Sequence, residues 1–138
     1  MKKILLMLLA VVLLYAAMNH KFLLAMAYLH DKDPSNDATA ATLLEDAKRN
    51  DHDIKSAFLL GYYYKTAKYH AIDPVKSHQN YLYAAQRGDK EAKMLVAWNF
   101  YKGIGCKKDI KRSKALLTEL AIGGNEKAKE ILKFVMRY

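Results

Sequence analysis

The chain has 138 residues, one cysteine and a formal net charge of +9, from 23 Lys and Arg against 14 Asp and Glu. A single cysteine excludes an intrachain disulfide, and with it the small secreted folds that depend on several disulfides. There is no Gly/Ser-rich linker or low-complexity tract. We therefore expect one folded domain after the N-terminal segment, over 19–138.

The N-terminus carries an apolar segment preceded by lysines. Lys2 and Lys3 come before an apolar run from Ile4 to Met18, which is the order of the charged and hydrophobic regions of a bacterial export signal. Three interpretations are open for 1–18: an uncleaved anchor, a cleaved signal peptide and a buried helix. The first two predict that the rest of the chain lies on the periplasmic side of the bacterial inner membrane, or free in the periplasm.

The remaining sequence repeats with a period of 36 residues. Asp37, Asp73 and Asp109 lie at this spacing, and glycines close the second and third units at Gly88 and Gly124. Self-similarity at such a period is typical of helical repeat arrays. The period predicts repeats at 19–52, 53–88 and 89–124, followed by a terminal helix at 125–138.

Each repeat is predicted to form two helices. Apolar residues at helical spacing predict helices at Ile54 to Lys65 and Asp73 to Arg87, then at Lys90 to Lys102 and from Asp109 onward. We expect the recurrent aspartates to cap the second helix of each unit, because a capping carboxylate accepts from free backbone N–H groups. Gly103 and Gly105 interrupt the third unit between its helices. Small residues recur in the first helices, where they permit close helix packing: Ala25, Gly61 and Ala97.

The third unit resembles a known repeat. The stretch from Ala92 to Asp109, continued by Ser113, Leu116, Leu120, Ala121 and Gly124, is similar to a repeat of the Sel-one-like repeat (SLR) family, a relative of the tetratricopeptide repeats. The second unit also fits, except that Ala67 and Tyr69 stand where the family has glycines. The resemblance implies an all-α, α/α solenoid that acts as a protein interaction scaffold. It implies no catalytic residue and no cofactor.

Aromatic residues crowd the second and third units. We assign Tyr64 and Phe100 to packing between helices, because they share one repeat column. Tyr62, Tyr63 and Trp98 cover a wider arc, which we expect to reach the concave surface. Exposed Tyr and Trp make good binding anchors because they bury a large area with few rotatable bonds.

Basic residues cluster in the third unit. Lys102, Lys107, Lys108 and Arg112 surround the start of its second helix, where positive potential could attract an acidic protein, an anionic membrane surface or an anionic envelope polymer. The simpler interpretation is a solvated helix surface. We expect no nucleic-acid partner, because an export signal removes the chain from nucleic acid.

Enzymatic chemistry is hard to find in the sequence. The five histidines form no HExxH pair and have no cysteine cluster beside them, so we predict no metal site. A calcium-like start at Asp31 lacks the required glycine and the final acid. A catalytic pocket would need residues such as His70, Asp73 and His78 to converge.

Three functions remain as hypotheses. The first is a non-enzymatic envelope scaffold that binds a protein or peptide along its concave face. The second is an immunity or inhibitor protein that neutralises a secreted toxin or enzyme. The third is an envelope hydrolase that acts on a cell-wall substrate.

Overall fold

A computed structural model describes residues 2–30, 33–66 and 71–137, with the side-chain surroundings of residues 2 and 15–19 left aside. Within these ranges the secondary structure is entirely helical, which confirms the predicted all-α class. The helices are α1 Lys2–His30, α2 Pro34–Asn50, α3 Ile54–Lys65, α4 Pro74–Gln86, α5 Lys90–Lys102, α6 Ile110–Ile122 and α7 Glu126–Val135. The chain forms two compact units, Met1–Ser56 and Ala57–Tyr138.

In the first unit, α1 is one continuous helix of 29 residues. The apolar run and the first helix of the repeats are therefore joined without a break at residue 18. The large apolar side chains between Ile4 and Leu14 are each more than half exposed, so the interpretation as a buried helix is wrong for them. Nevertheless, no helix in the described ranges is both long enough and apolar enough to cross a membrane, and a spanning anchor is not supported.

The carboxyl half of α1 packs against α2. Ala25, Leu44 and Ala47 are fully buried in this unit. The Lys21 ammonium also pairs with Asp46 at 2.5 Å. This hydrogen bond raises the pKa of Lys21 and lowers the pKa of Asp46.

Asp37 does not cap α2, and the prediction that it does is wrong. The N-cap is Asp33, which accepts from the Ser35 N–H at 2.9 Å. The pair Asp33–Pro34 places a capping carboxylate directly before proline at the first helical position, which is a strong start signal. Asp37 consequently lies inside α2, with 4% of its surface exposed.

The turn after α2 contains one residue more than the later turns. The Asp53 N–H donates to the Ala47 carbonyl, and His52 adopts a positive φ of 53°. The corresponding bonds in the later turns span one residue fewer and are Asp89 to Ala84 and Asn125 to Leu120. This insertion shifts the buried face of α2 out of the 36-residue register.

In the second unit, the predicted caps are confirmed. Asp73 accepts from the Lys76 N–H, and Asp109 accepts from the Arg112 N–H, both at 2.9 Å. A second column of caps, not predicted from the sequence, starts the first helix of each pair, and its first member lies in the first unit. Its members are Asp53, Asp89 and Asn125, which accept from Ser56 at 3.0 Å, Ala92 at 2.7 Å and Ala128 at 2.9 Å.

Gly61 allows α4 to pack closely on α3. A Cβ at this position would lie 2.6 Å from the Tyr81 ring, well inside contact distance. The Ser77 hydroxyl donates to the Gly61 carbonyl at 2.7 Å, and both residues are buried. The ring and the hydrogen bond together fix α4 against the backbone of α3.

Gly105 holds the loop between α5 and α6 against the start of α4. Its φ is 67°, and a Cβ would lie 1.9 Å from the Pro74 carbonyl oxygen. Only glycine tolerates both the left-handed backbone and this close approach. Gly103 ends α5 just before, with its N–H donating to the Asn99 carbonyl at 2.7 Å. The two glycines therefore position Ile104 beside α4 and α5.

We predict that Asp89→Ala lowers the free energy of unfolding by about 1 kcal/mol, because the first turn of α5 loses its cap. Asp89→Asn should retain most of the stability, since its side-chain oxygen still accepts from Ala92. Urea denaturation followed by circular dichroism measures both. An equal loss in the two variants would show that capping is not the role of Asp89.

We predict that Gly61→Ala is destabilising by roughly 1–3 kcal/mol through overpacking, although alanine favours the helix by up to about 1 kcal/mol. The same change in a Tyr81→Leu background should be neutral or stabilising, because the ring that it would strike is gone. The double-mutant cycle uses the free energy of unfolding. A Gly61→Ala cost that persists without the ring would contradict this packing.

Candidate functional site

The second unit carries an aromatic residue on the first helix of each repeat. Tyr62 on α3, Trp98 on α5 and Phe134 on α7 recur at the 36-residue period, and we call them the aromatic column. Tyr62 is 55% exposed and Phe134 is 41% exposed, while Trp98 is half-buried. The Trp98 and Phe134 ring centroids lie 6.3 Å apart. The sequence analysis missed Phe134, although the repeat period was sufficient to find it.

Tyr63 does not belong to this surface, and its prediction as a binding residue is wrong. It is only 9% exposed, and its ring packs edge-on against Tyr64 with centroids 5.1 Å apart. Adjacent residues on a helix point about 100° apart. Since Tyr62 faces solvent, Tyr63 is turned toward the interior.

Lysines flank the aromatic column at α5. The Lys102 ammonium lies 5.2 Å from the ring centroids of both Trp98 and Tyr101, and the Lys108 ammonium lies 5.9 Å from Tyr101. These are cation–π distances. Lys102, Lys107 and Lys108 are exposed and pair with no carboxylate of the described residues. The structure thus brings Trp98 and Lys102 together, as the binding hypothesis requires.

Arg112 has other contacts. Its Nε lies 3.3 Å from the Asp109 carboxylate, and its guanidinium carbon lies 5.5 Å from the centroid of the Phe100 ring. Phe100 is 7% exposed and belongs to the packed interior, as predicted. The charge of Arg112 is therefore already partly balanced, unlike that of Lys102.

A groove of about 240 Å³ lies beside Trp98, between α4, α5 and the loop that follows α5. Its polar lining comes from Lys65, Ser77 and Asn99. Its apolar lining consists of Ile72, Pro74, Tyr81, Leu95, Trp98 and Ile104. Burial, with smaller contributions from Tyr62 and Glu91, raises the pKa of Tyr81 to about 12. The groove lining consists mostly of rings and aliphatic groups, with one ammonium group, one serine hydroxyl and one amide.

Asn99, which lines the groove, is hydrogen-bonded to the buried His78. The Asn99 amide donates to His78 Nδ1 at 3.3 Å. His78 is 5% exposed, and its ring packs edge-on against Phe100 with centroids 5.1 Å apart. Burial lowers the pKa of His78. The imidazole is consequently neutral and holds Asn99 in place at the groove.

The residues proposed for a catalytic pocket have structural roles where they are described. Asp73 caps α4, and His78 is buried on Asn99. His70, together with the altered loop positions Ala67 and Tyr69, lies outside the described residues. Among the residues that are described, no three His, Cys, Asp or Glu side chains lie close enough to hold a metal ion. Cys106 is half-buried, and burial raises its pKa.

Several solved structures are similar to this chain. One is a protective antigen present in uropathogenic Escherichia coli strains that displays an SLR fold, with a TM-score of 0.75 and 24% identity over 86% of this chain and 25% of that chain. The chain has an SLR fold. Another structure is a Sel1 repeat protein from Oxalobacter formigenes, with a TM-score of 0.64 and 22% identity over 83% of this chain and 46% of that chain.

The resemblance seen in the sequence is thereby confirmed at the level of the fold. The chain spans a quarter and somewhat under half of the lengths of these two SLR proteins. No protein-family model matches the sequence, and no curated protein is detectably similar to it.

We predict that acidification destabilises the second unit, because His78 is buried there as a neutral imidazole. Because the pKa of His78 is lowered in the folded state, the unfolded chain binds the proton first as pH falls below about 6.5. The contribution of neutral His78 to the free energy of unfolding is fully present above that pH. It is lost as the pH falls toward the lower, folded-state pKa, by at most about 1.4 kcal/mol per pH unit.

His78→Gln should show a shallower loss of unfolding free energy between neutral pH and the acid range. Urea denaturation at several pH values, with wild type measured in parallel, isolates this residue from the carboxylates that titrate in both proteins. Identical pH dependence in the two proteins would contradict a buried neutral His78.

Proposed function

We propose that this protein is a non-enzymatic scaffold that binds a protein or peptide partner through the aromatic column and its flanking lysines. The observation that carries the proposal is the position of Trp98. It is half-buried against Tyr101 and Phe134, with ring centroids 5.6 Å and 6.3 Å away. It also lines the groove and lies next to Lys102. A rigid, partly exposed tryptophan beside an unpaired cation is typical of a binding anchor.

Large apolar side chains are exposed at the groove and in the aromatic column. Ile72 and Ile104, both at the groove, are 54% and 43% exposed. In the aromatic column, Tyr62 and Phe134 are 55% and 41% exposed. Burying such side chains against a partner would be favourable by roughly 25 cal/mol for each Å² of apolar area removed from water.

We propose an envelope location on the basis of the N-terminal sequence. Lys2 and Lys3 before the apolar run have the order of an export signal. An exported scaffold would present the aromatic column outside the cytoplasm. An inhibitor of a secreted protein would use the same surface, so the identity of the captured partner separates these two roles.

Site-specific photo-crosslinking tests the proposal. A photo-crosslinking amino acid replaces Tyr62 or Phe134 in the full chain, and crosslinked products are recovered from cells that express it. The same protein should be captured from both positions. Its capture should be lost when Trp98→Ala is added, because the central anchor is then missing.

The matched control places the crosslinker at Ile122, which is 83% exposed on α6 and lies outside the aromatic column. We expect no stoichiometric product from this position. Equal capture from Ile122, or capture that is unaffected by Trp98→Ala, would overturn the assignment of the binding surface.

A further inference from the structure

The groove beside Trp98 is small and mostly apolar. Its volume of about 240 Å³ lies below the roughly 300–1,000 Å³ of ordinary small-molecule sites. Its walls combine the rings of Tyr81 and Trp98 with the aliphatic surfaces of Ile72 and Ile104. A single large aliphatic or aromatic side chain matches this size and polarity, whereas a nucleotide or a cofactor does not.

Among the described residues, the one charged member of the groove lining is a lysine. The Glu91 carboxylate lies outside that lining, although it contributes to the raised pKa of Tyr81. Lys65 lines the groove itself, and Lys102 lies over the Trp98 ring at its edge. Neither ammonium pairs with a carboxylate of the described residues. By contrast, Lys76 is 3.9 Å from the Asp73 carboxylate and Lys93 is 2.6 Å from that of Glu119. A carboxylate that approaches Lys65 or Lys102 would meet a cation beside apolar rings, where attraction is stronger than in bulk water.

We infer that the groove takes one apolar side chain of an acidic peptide segment, whose Asp and Glu residues pair with Lys65 and Lys102. This inference rests on the proposed function and adds the chemistry of its partner. Attraction between unlike charges guides the segment to the surface, and the apolar anchor then holds it in the groove.

A flat anionic surface fits these observations less well. A lipid headgroup layer would contact the exposed lysines without filling the recess between α4, α5 and the loop after α5. Nucleic acid presents its phosphates on the outside and would leave the apolar walls of the groove unused. An extended peptide supplies acidic side chains and an apolar anchor on neighbouring residues.

The test begins with a random peptide library displayed on phage and selected on the immobilised full-length protein. Counter-selection on full-length Trp98→Ala removes peptides that bind elsewhere. Trp98 is the only tryptophan in the chain, so its emission then reports the binding of selected, tryptophan-free peptides directly. We expect these peptides to contain Asp and Glu next to one Leu, Ile or Phe.

Charge-reversal variants test whether Lys65 and Lys102 attract the acidic residues of the peptides. The affinity of the selected peptides should fall by about tenfold or more in Lys65→Glu/Lys102→Glu and by less than about twofold in Lys127→Glu. Lys127 is an exposed lysine on α7 that lies outside the groove lining. Circular dichroism verifies that all three proteins are folded, so a lost affinity reflects the changed charges.

The outcomes separate the two proposals. Selected peptides that need Trp98 but have no excess of Asp and Glu would overturn the inference and leave the proposed function standing. Failure to select any peptide that depends on Trp98 would count against both. A shift of Trp98 emission with phosphatidylglycerol vesicles, but with no peptide, would assign the surface to anionic lipid and overturn the inference.

Discussion

The contact between the Tyr81 ring and the Gly61 backbone determines the geometry of the second unit. Because Gly61 has no side chain, the ring of α4 rests on α3, and the Ser77 hydroxyl reaches the Gly61 carbonyl. The close approach buries Ser77 and places Tyr81 in the wall of the groove. Tyr62, the neighbour of Gly61, then faces solvent as the first member of the aromatic column.

A second constraint positions the other wall of the groove. Gly105 lies so close to the Pro74 carbonyl that no side chain fits between them. The loop after α5 is therefore held on the start of α4, and Ile104 is carried to the groove. Asn99 completes this arrangement from within α5, where its amide is bonded to the buried His78. The groove thus depends on packing between repeats, since its lining comes from the end of α3, from α4 and the residue Ile72 before it, from α5 and from the loop after α5.

The sequence predicted helix positions well where local signals agreed. The bounds of α3 and α5 match the predicted ranges, because apolar residues at helical spacing mark both helices and Gly103 ends α5. In the first unit, extrapolation of the period selected Asp37 instead of Asp33 because α2 has 17 residues, against 13 in α4 and in α6, and so begins about one turn earlier. The Asp-Pro pair was the better local signal.

The candidate site was only partly predictable. The wide arc of crowded aromatic residues indicated Tyr62 and Trp98, but it also led to the wrong inclusion of Tyr63. The repeat period would have added Phe134, which lies 36 residues after Trp98. Whether a tyrosine faces inward depends on the helices that pack against it, which the spacing along one helix does not specify. The groove and the buried pair of His78 and Asn99 join residues of different helices, so no pattern within one helix predicts them.

The central claim is that Trp98 is an accessible anchor in a positively charged surface, and fluorescence quenching of this single tryptophan tests it most directly. The account predicts that iodide quenches Trp98 more efficiently than caesium, because the Lys102 ammonium lies 5.2 Å from the ring and attracts the anion. Lys102→Gln should reduce this preference. Equal quenching by both ions, a preference for caesium, or protection of Trp98 from both would contradict the account.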